Sequence, residues 1–386
     1  MIPYGRQEIN QSDIDAVINA LQSDYITQGP RVDQFERAVA AYCDTPHAVA
    51  VNNGTAALTM ACNALGVNSN SVVWTSTNTF TASANCARSL GARIGFVDVE
   101  PGTFNMCPND LQKRLEQSQH THEPLPDVVI PVHFAGHSCD MQAIHALSIK
   151  YGFKILEDAC HAIGGRYEGK PVGHGHLSDI TAFSFHPVKH ITTGEGGMAV
   201  TRDSTLYEKM QLIRTHGITR DPDKMINPSH GPWYYEQILL GTNYRITDIQ
   251  TALGISQLKR LDDFCERRRS RVARYRQALA ELPLSYLEEK EYAQSAWHLF
   301  VIQLDLESIS LDRRTVFEKL REAGIGVNVH YIPVHLQPYY HTLGFNPGDF
   351  PVAEHYYQRA ITLPLFPGLS EQDQDTVINA LKKILA

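Results

Sequence analysis

Short apolar runs alternate, along the first part of the chain, with longer stretches whose apolar residues fall three or four positions apart. The first spacing predicts strands and the second amphipathic helices. Ile14, Val17, Ile18 and Leu21 share one helical face behind Ser12, and Asp15 makes a weak capping box with it. Gly29 and Pro30 break that pattern, and a second amphipathic stretch runs from Val32 to Tyr42. Strands are then expected at 47–53, 72–76, 94–99, 128–134, 153–158, 179–186 and 198–202. Helices are expected between them at 55–65, 79–90, 108–117 and 141–151. Several of the strand runs are apolar on both faces, which fits a parallel or mixed sheet buried under helices. The pattern is that of an α/β fold.

Beyond Ile246 the texture changes. A long helix is expected through Leu253, Leu258, Leu261 and Phe264 into the basic run Arg267-Arg268-Arg269, which reads as a solvated face. A smaller α/β unit follows, with strands at 298–305 and 326–331, a helix at 313–323 and a last helix starting at Ser370. The expected division is a large domain over residues 1–250 and a small C-terminal domain over 251–386.

Composition narrows the class. The 386 residues are 43% hydrophobic and 20% charged, as in an ordinary globular protein. Lys plus Arg is 34 against 42 Asp plus Glu, a net charge of −8 that speaks against a general nucleic-acid binder. No apolar run approaches the ~20 residues of a membrane-spanning helix, and no hydrophobic signal core follows Met1-Ile2-Pro3-Tyr4. Seven scattered cysteines, with no CxxC pair, read as reduced thiols. These features predict a cytoplasmic protein with neither membrane nor nucleic acid as partner.

Four segments carry candidate chemistry. In Asn52-Asn53-Gly54-Thr55-Ala56-Ala57-Leu58 a strand ends, a glycine turns and a helix begins. Small residues there let an anion approach the free amides of the first turn, although alone the segment reads as a plain βα turn. Asp158 ends an apolar strand, where sheet enzymes place reactive groups. A carboxylate there can keep a pyridinium nitrogen protonated, with His161 against the same ring; the alternative is a helix cap. Lys189 follows a buried strand and enters the Gly-rich turn Gly194-Glu195-Gly196-Gly197. Desolvation at such a place frees a nucleophilic amine, which makes Lys189 a Schiff-base candidate, and Ser184 is placed to bind a phosphate. In Gly241-Thr242-Asn243-Tyr244-Arg245 two strong donors flank an aromatic residue; the alternative is a helix-start loop with Arg245 in a surface ion pair.

The order of these features, with a phosphate-type turn, then Asp158, then Lys189, is that of a fold type I pyridoxal-phosphate enzyme. Further segments extend the match: Thr79-Phe80-Thr81-Ala82, Glu157-Asp158-Ala159, Ser184-Phe185-His186, Asn243-Tyr244-Arg245 and His330-Tyr331. On these the chain resembles the DegT/StrS-type sugar aminotransferases over nearly its whole length. Residues 184–189, Ile191-Thr192-Thr193, Ile2-Pro3-Tyr4 and Asn328-Val329-His330-Tyr331 look most like the pseudaminic-acid branch. That branch aminates C4 of a UDP-linked 4-keto-6-deoxy-N-acetylhexosamine with L-glutamate as donor. A branch acting on a UDP-4-ketopentose has a similar Ser-Phe-His segment, so that sugar, or a dTDP- or GDP-linked 4-keto-6-deoxyhexose, is the alternative substrate.

The resemblance implies a role for each matching residue. Lys189 would be the Schiff-base lysine and the acid/base of the proton shift. Asp158 would pair with the pyridine nitrogen, His161 would lie near the ring's phenolic oxygen, and Phe80 would stack on the ring unless it is a core aromatic. Thr55, the Ala56 amide and Ser184 would hold the cofactor phosphate, with Asn243 arriving from the partner of a homodimer. Tyr4, the loop of Asp24, Tyr25, Ile26 and Thr27, and Asn328, Val329, His330 and Tyr331 would line the sugar-nucleotide site, together with Ala56, Ser184 and Asn243. His186 is expected near the cofactor with no assigned role. His133, His137 and Asp140 have a spacing that crosses a loop, and no metal is expected there; His174 and His176 are expected to be solvated. Two other readings are a sugar dehydratase of the same fold, against which Lys189 argues because histidine replaces it there, and a non-catalytic member that keeps the cofactor.

Overall fold

Runs that are apolar on both faces are satisfied only when helices cover them from each side, and the runs between residues 47 and 201 pair into one such sheet. The computed structural model describes residues 1–385. Strands β1 (His47–Val51), β2 (Val72–Ser76), β3 (Arg93–Val97), β4 (Val128–Ile130), β5 (Lys154–Asp158), β6 (Ile180–Ser184) and β7 (Gly197–Thr201) lie in the order β1-β7-β6-β5-β4-β2-β3. β2–β3, β2–β4, β4–β5 and β5–β6 are parallel pairs. β7 runs antiparallel to both β6 and β1. The C-terminal ends of β1, β5 and β6 therefore share one edge of the sheet. Asp158 and Ser184 are the last residues of their strands, and Gly54 starts a helix just past β1. Ligands of open α/β sheets bind at such an edge.

Beyond it a small antiparallel sheet has the order β8 (Leu284–Tyr286), β9 (Phe300–Leu304) and β10 (Ala360–Leu363). One apolar cluster joins the two sheets: Phe300, Ile302 and Ile361 of the small sheet pack in it with Phe96, Phe104 and Phe134 of the large unit. The N-terminal segment crosses to the small unit. Ile2 N–H donates to the Gly324 carbonyl at 2.8 Å, Gly326 N–H to that of Ile2 at 2.7 Å, and Leu365 N–H to that of Tyr4 at 2.9 Å. Among the described residues no helix is long and apolar enough to cross a membrane.

Five local expectations fail. Helix α1 (Gln11–Leu21) is capped by Asn10 and Asp13 rather than by Ser12 and Asp15. Asp13 is fully buried, where its carboxylate takes Arg260 and Gln257, and that fixes which residue can close the box. The helix expected at 79–90 shortens to Ala82–Arg88, leaving Thr79 and Phe80 on the loop that leaves β2. Residues 326–331 form no strand; their backbone meets β10 at the single Asn328–Thr362 bridge, beside which His330 Nδ1 lies 2.8 Å from Thr362 Oγ1. The long helix after Ile246 breaks at Lys259–Arg260 into Asp248–Leu258 and Leu261–Ala278. Its basic run is not a solvated face either. Arg267 holds Glu8 with two hydrogen bonds at 3.0 and 2.8 Å. Arg268 is fully buried and donates to the carbonyls of Trp297, His298 and Leu365.

Candidate active site

The shared strand edge opens into a cavity of about 1030 Å³. Asp158 lies in its floor, with only 5% of its surface exposed. Ser83 Oγ donates to its Oδ2 at 2.6 Å and the Cys160 amide to its Oδ1 at 3.2 Å. The second bond is the local cap the sequence allowed for. It occupies one lone pair, and a carboxylate has about four sites to offer. Lys189 sits in the turn after β6, its amide donating to the His186 carbonyl at 2.9 Å. Its amine is enclosed beside His298, with Nζ 3.5 Å from His298 Nε2. Burial pulls the amine down to about 8 against the opposing pull of Cys160 and Asp158. The unprotonated form that a nucleophile needs then becomes substantial at mildly alkaline pH.

An anion cradle adjoins this pair. Helix α3 is the helix of Gly54–Ala64, counted after α1 and α2 (Pro30–Tyr42). Its first residues, Gly54 to Ala56, line the cavity. Asn53 caps it by accepting from the Ala56 amide at 2.8 Å. The Ala56 N–H is therefore spoken for, contrary to the expectation that it faces a phosphate, and helix geometry leaves the Gly54 and Thr55 amides free. Glycine at 54 is a matter of clearance, since a Cβ there would lie 2.9 Å from Ser184 Cβ. That close approach brings the Ser184 hydroxyl to the helix N-terminus. Across the cavity Phe80 is 59% exposed, so it is a wall of the cavity and not a core aromatic. Tyr331 faces it, with ring centroids 6.1 Å apart, and its hydroxyl lies 3.0 Å from His161 Nε2. Burial, then Lys189, pushes His161 well below its ordinary value, and its buried Nδ1 has no partner.

Residues 7–382 match the DegT/DnrJ/EryC1/StrS aminotransferase family. The chain belongs to that family. Over its whole length it is 39% identical to the spore coat polysaccharide biosynthesis protein SpsC of Bacillus subtilis, covering 97% of it. It is 36% identical, again over its whole length, to the UDP-4-amino-4,6-dideoxy-N-acetyl-β-L-altrosamine transaminase of Campylobacter jejuni, covering 98% of that protein. PseC of Helicobacter pylori, an aminotransferase of pseudaminic acid biosynthesis, superposes with a TM-score of 0.90 at 28% identity, covering 100% of this chain and 99% of that one. As a member of the DegT/DnrJ/EryC1/StrS family the protein is a sugar aminotransferase of fold type I that uses pyridoxal 5'-phosphate.

The cavity suits that cofactor on its own terms. It offers a buried carboxylate with free acceptor capacity, an amine softened by burial, a glycine-cleared helix N-terminus, an exposed aromatic wall and an unpaired imidazole nitrogen at His161. One chain brings together Tyr4, Thr55, Ala56, Phe80, Asp158, His161, Ser184, Lys189, Asn243 and residues 328–331, and His186 lies at the mouth. Asp24, Tyr25, Ile26 and Thr27 are not among the lining residues. Their loop is tied elsewhere: Asp248 takes the amides of Gly29 and Arg31 at 2.6 and 3.0 Å and gives its own to Ile26. Tyr25 instead edges a cleft with Arg214 and Arg245. Three contributors escaped the sequence reading, namely Ser83, Cys160 and His298. His298 had a signal, a histidine heading an apolar run. Ser83 had none, because it sits in the helix Ala82–Arg88 and its partner ends a strand 75 residues further on.

His133, weighed above as a ligand, is committed to Glu157. Its Nε2 lies 2.7 Å from Glu157 Oε2, and its Nδ1 accepts the Cys139 amide at 3.1 Å. His174 and His176 pair with each other through Nδ1 atoms 3.1 Å apart on the surface.

Proposed function

We propose that the protein moves an amino group from L-glutamate to C4 of a UDP-linked 4-keto-6-deoxy-N-acetylhexosamine, as in pseudaminic acid biosynthesis. The observation that carries the transfer is a buried Lys189 amine, brought down to about 8, on the strand edge that also holds Asp158. The sugar reading is supported by the Campylobacter relative, whose name describes such a product and which matches along the entire chain. Bound pyridoxal phosphate supplies an exchangeable carbonyl and a ring that withdraws electrons from the carbon next to nitrogen. Asp158 would hold the proton on the ring nitrogen. Ser184, Thr55 and the free amides at the start of α3 would hold the phosphate, while Phe80 orients the ring from one face. The Lys189 amine would serve as the base that takes the proton from the donor's α-carbon and as the acid that returns it. Tyr4 and residues 328–331 would line the sugar side.

Two features of the cavity support a homodimer with shared sites. Its lining holds no arginine and no lysine other than Lys189, although a diphosphate and a dicarboxylate both call for cations. Ile226, Trp233 and Leu240 are each between 73% and 81% exposed, large apolar side chains that burial against a second copy would cover. Asn243 is exposed at the cavity rim of its own chain, and in this reading it reaches the cofactor phosphate of the partner. The division into residues 1–250, which bind the cofactor, and 251–386 belongs to the same proposal, as does a cytoplasmic location, which suits seven free cysteines.

The test is incubation with L-glutamate and a panel of 4-keto nucleotide sugars, with the product identified by NMR. The expected product carries nitrogen at C4 of the UDP-N-acetyl sugar. Amination at C3, or a preference for a UDP-pentose or a dTDP-sugar, would overturn the sugar reading and leave the aminotransferase in place. A second reading has a specific basis: the spore coat polysaccharide relative is the more similar of the two in sequence, which favours another 4-keto nucleotide sugar of a surface polysaccharide.

A further inference from the structure

We propose that His298 is the positioning partner of the Lys189 amine, accepting a hydrogen bond from it as an ammonium and donating one to it as a free amine. Its Nε2 faces Lys189 Nζ at 3.5 Å. The residue comes from the segment ahead of β9 and is only 4% exposed. Its backbone is fixed on both sides: the amide donates to the Ala135 carbonyl at 2.8 Å, and the carbonyl accepts from Arg268 at 3.2 Å. A ring on so constrained a backbone stays where the amine can find it.

The two ring nitrogens have different surroundings. Nε2 looks at the amine, whereas Nδ1 is buried with no partner. His133 is the contrasting case. Its Nδ1 takes the Cys139 amide, so its proton is committed to Nε2 and to Glu157. No such bond commits His298. Its single proton can sit on either nitrogen as Lys189 changes charge, which is what a partner to both forms of an amine requires.

The ring must also remain neutral. The groups facing the pair are Asp158, Cys160 and His161 from the end of β5, His190 beside the lysine, Arg268 from the helix Leu261–Ala278, and His330 and Tyr331 from the loop above. Arg268 is fully buried, has no carboxylate partner among the described residues and places its guanidinium on the His298 backbone. Burial, then Lys189, the two neighbouring imidazoles and Arg268 push His298 well below its ordinary value. The ring is therefore a neutral acceptor throughout the range in which Lys189 titrates.

The inference rests on Lys189 being the reacting amine. Competitive acetylation of the cofactor-free full-length chain, read lysine by lysine by mass spectrometry from neutral to alkaline pH, gives the midpoint at which Lys189 becomes nucleophilic. His298→Phe keeps a ring but offers neither donor nor acceptor. The bond to the ammonium is charge-assisted and stronger than the one to the free amine, so the variant's midpoint should fall by about one pH unit, the shift that a ~1.4 kcal/mol difference between the two bonds produces. The pH profile of kcat should move with it, while KM for glutamate changes little. His298→Asn, whose amide both accepts and donates, should recover most of the shift. A wild-type midpoint in a folded His298→Phe protein, or an Asn variant displaced as far as the Phe variant, overturns the role. A borohydride label on a lysine other than Lys189 would instead remove the proposed function beneath it.

Discussion

Glu157 and Asp158 are consecutive carboxylates on β5, and strand geometry sends them to opposite faces of the sheet. Both are almost wholly buried, yet they are prepared for different tasks. Glu157 accepts from the His133 ring, the Thr181 hydroxyl and the Ser178 hydroxyl, so its acceptor sites are used within the fold. Burial pushes its carboxyl up, but these donors outweigh burial and leave it below its ordinary value. Asp158 has two donors, Ser83 and the Cys160 amide, and faces a cavity. A buried charge whose neighbours enclose it within the fold is a structural anchor, and one with spare capacity beside an open volume is a site. Burial by itself does not distinguish the two; the open volume at Asp158 does.

The contrast can be broken most decisively at the amine facing Asp158. Lys189→Ala should abolish turnover, and borohydride reduction of the wild-type holoenzyme should fix the cofactor to Lys189 in a peptide map. A label elsewhere means that the cavity face has been misassigned. Next in size is Asp158→Asn, which keeps shape but removes charge. Turnover should fall by roughly 10²-fold or more with little change in melting temperature. Near-normal turnover would reduce Asp158 to a cap, no different in kind from its neighbour.

A mixed dimer sharpens the comparison by asking whether the cavity face is completed by another copy. Lys189→Ala and Asn243→Ala chains, each impaired alone, should regain activity on mixing, up to one intact site per heterodimer. Subunit exchange verified by mass, with no activity returning, would confine Asn243 to its own chain. The smallest effect on chemistry is expected at Glu157→Gln. It should cost about 3 kcal/mol or more of stability, because an amide nitrogen turned toward buried donors leaves them unpaired. The folded fraction should keep its kcat. The pH dependence has a definite sign. The folded carboxyl titrates below the unfolded reference of 4.5, so its contribution is full above that value and disappears as pH falls through the lower one. Wild type should therefore lose stability in acid more steeply than Glu157→Gln, which thermal melts at stepped pH will report.

The sequence made the cavity face legible because its parts are local. A glycine turn after a strand, an aspartate ending a strand and a lysine before a glycine-rich turn each announce themselves within a few residues, and the strand at 72–76 and the helix at 141–151 fall where periodicity places them. What escaped depends on partners distant in the chain. Arg268 looked like part of a solvated stripe because its carbonyl acceptors lie at 297, 298 and 365. The Asp24–Thr27 loop does not line the cavity of its own chain, and nothing nearby in sequence reveals that Asp248 ties down the segment that follows it. The Ala56 amide looked free because an asparagine at the cap can either bind it or leave it open.

The crossing of the N-terminal segment has a consequence for how the molecule is made. Tyr4 leaves the ribosome well before the carbonyl and amide groups that seat its segment, which belong to Gly324, Gly326 and Leu365. At ~5–20 residues translated per second, that segment waits on the order of tens of seconds for its berth. The sheet from β1 to β7 can assemble meanwhile, since its strands are all complete by Thr201. The wall of Tyr4 and residues 328–331 is thus the last part of the cavity to close during synthesis, and a nascent chain arrested before residue 324 would present the lysine and the start of α3 in a bowl without its Tyr4 side.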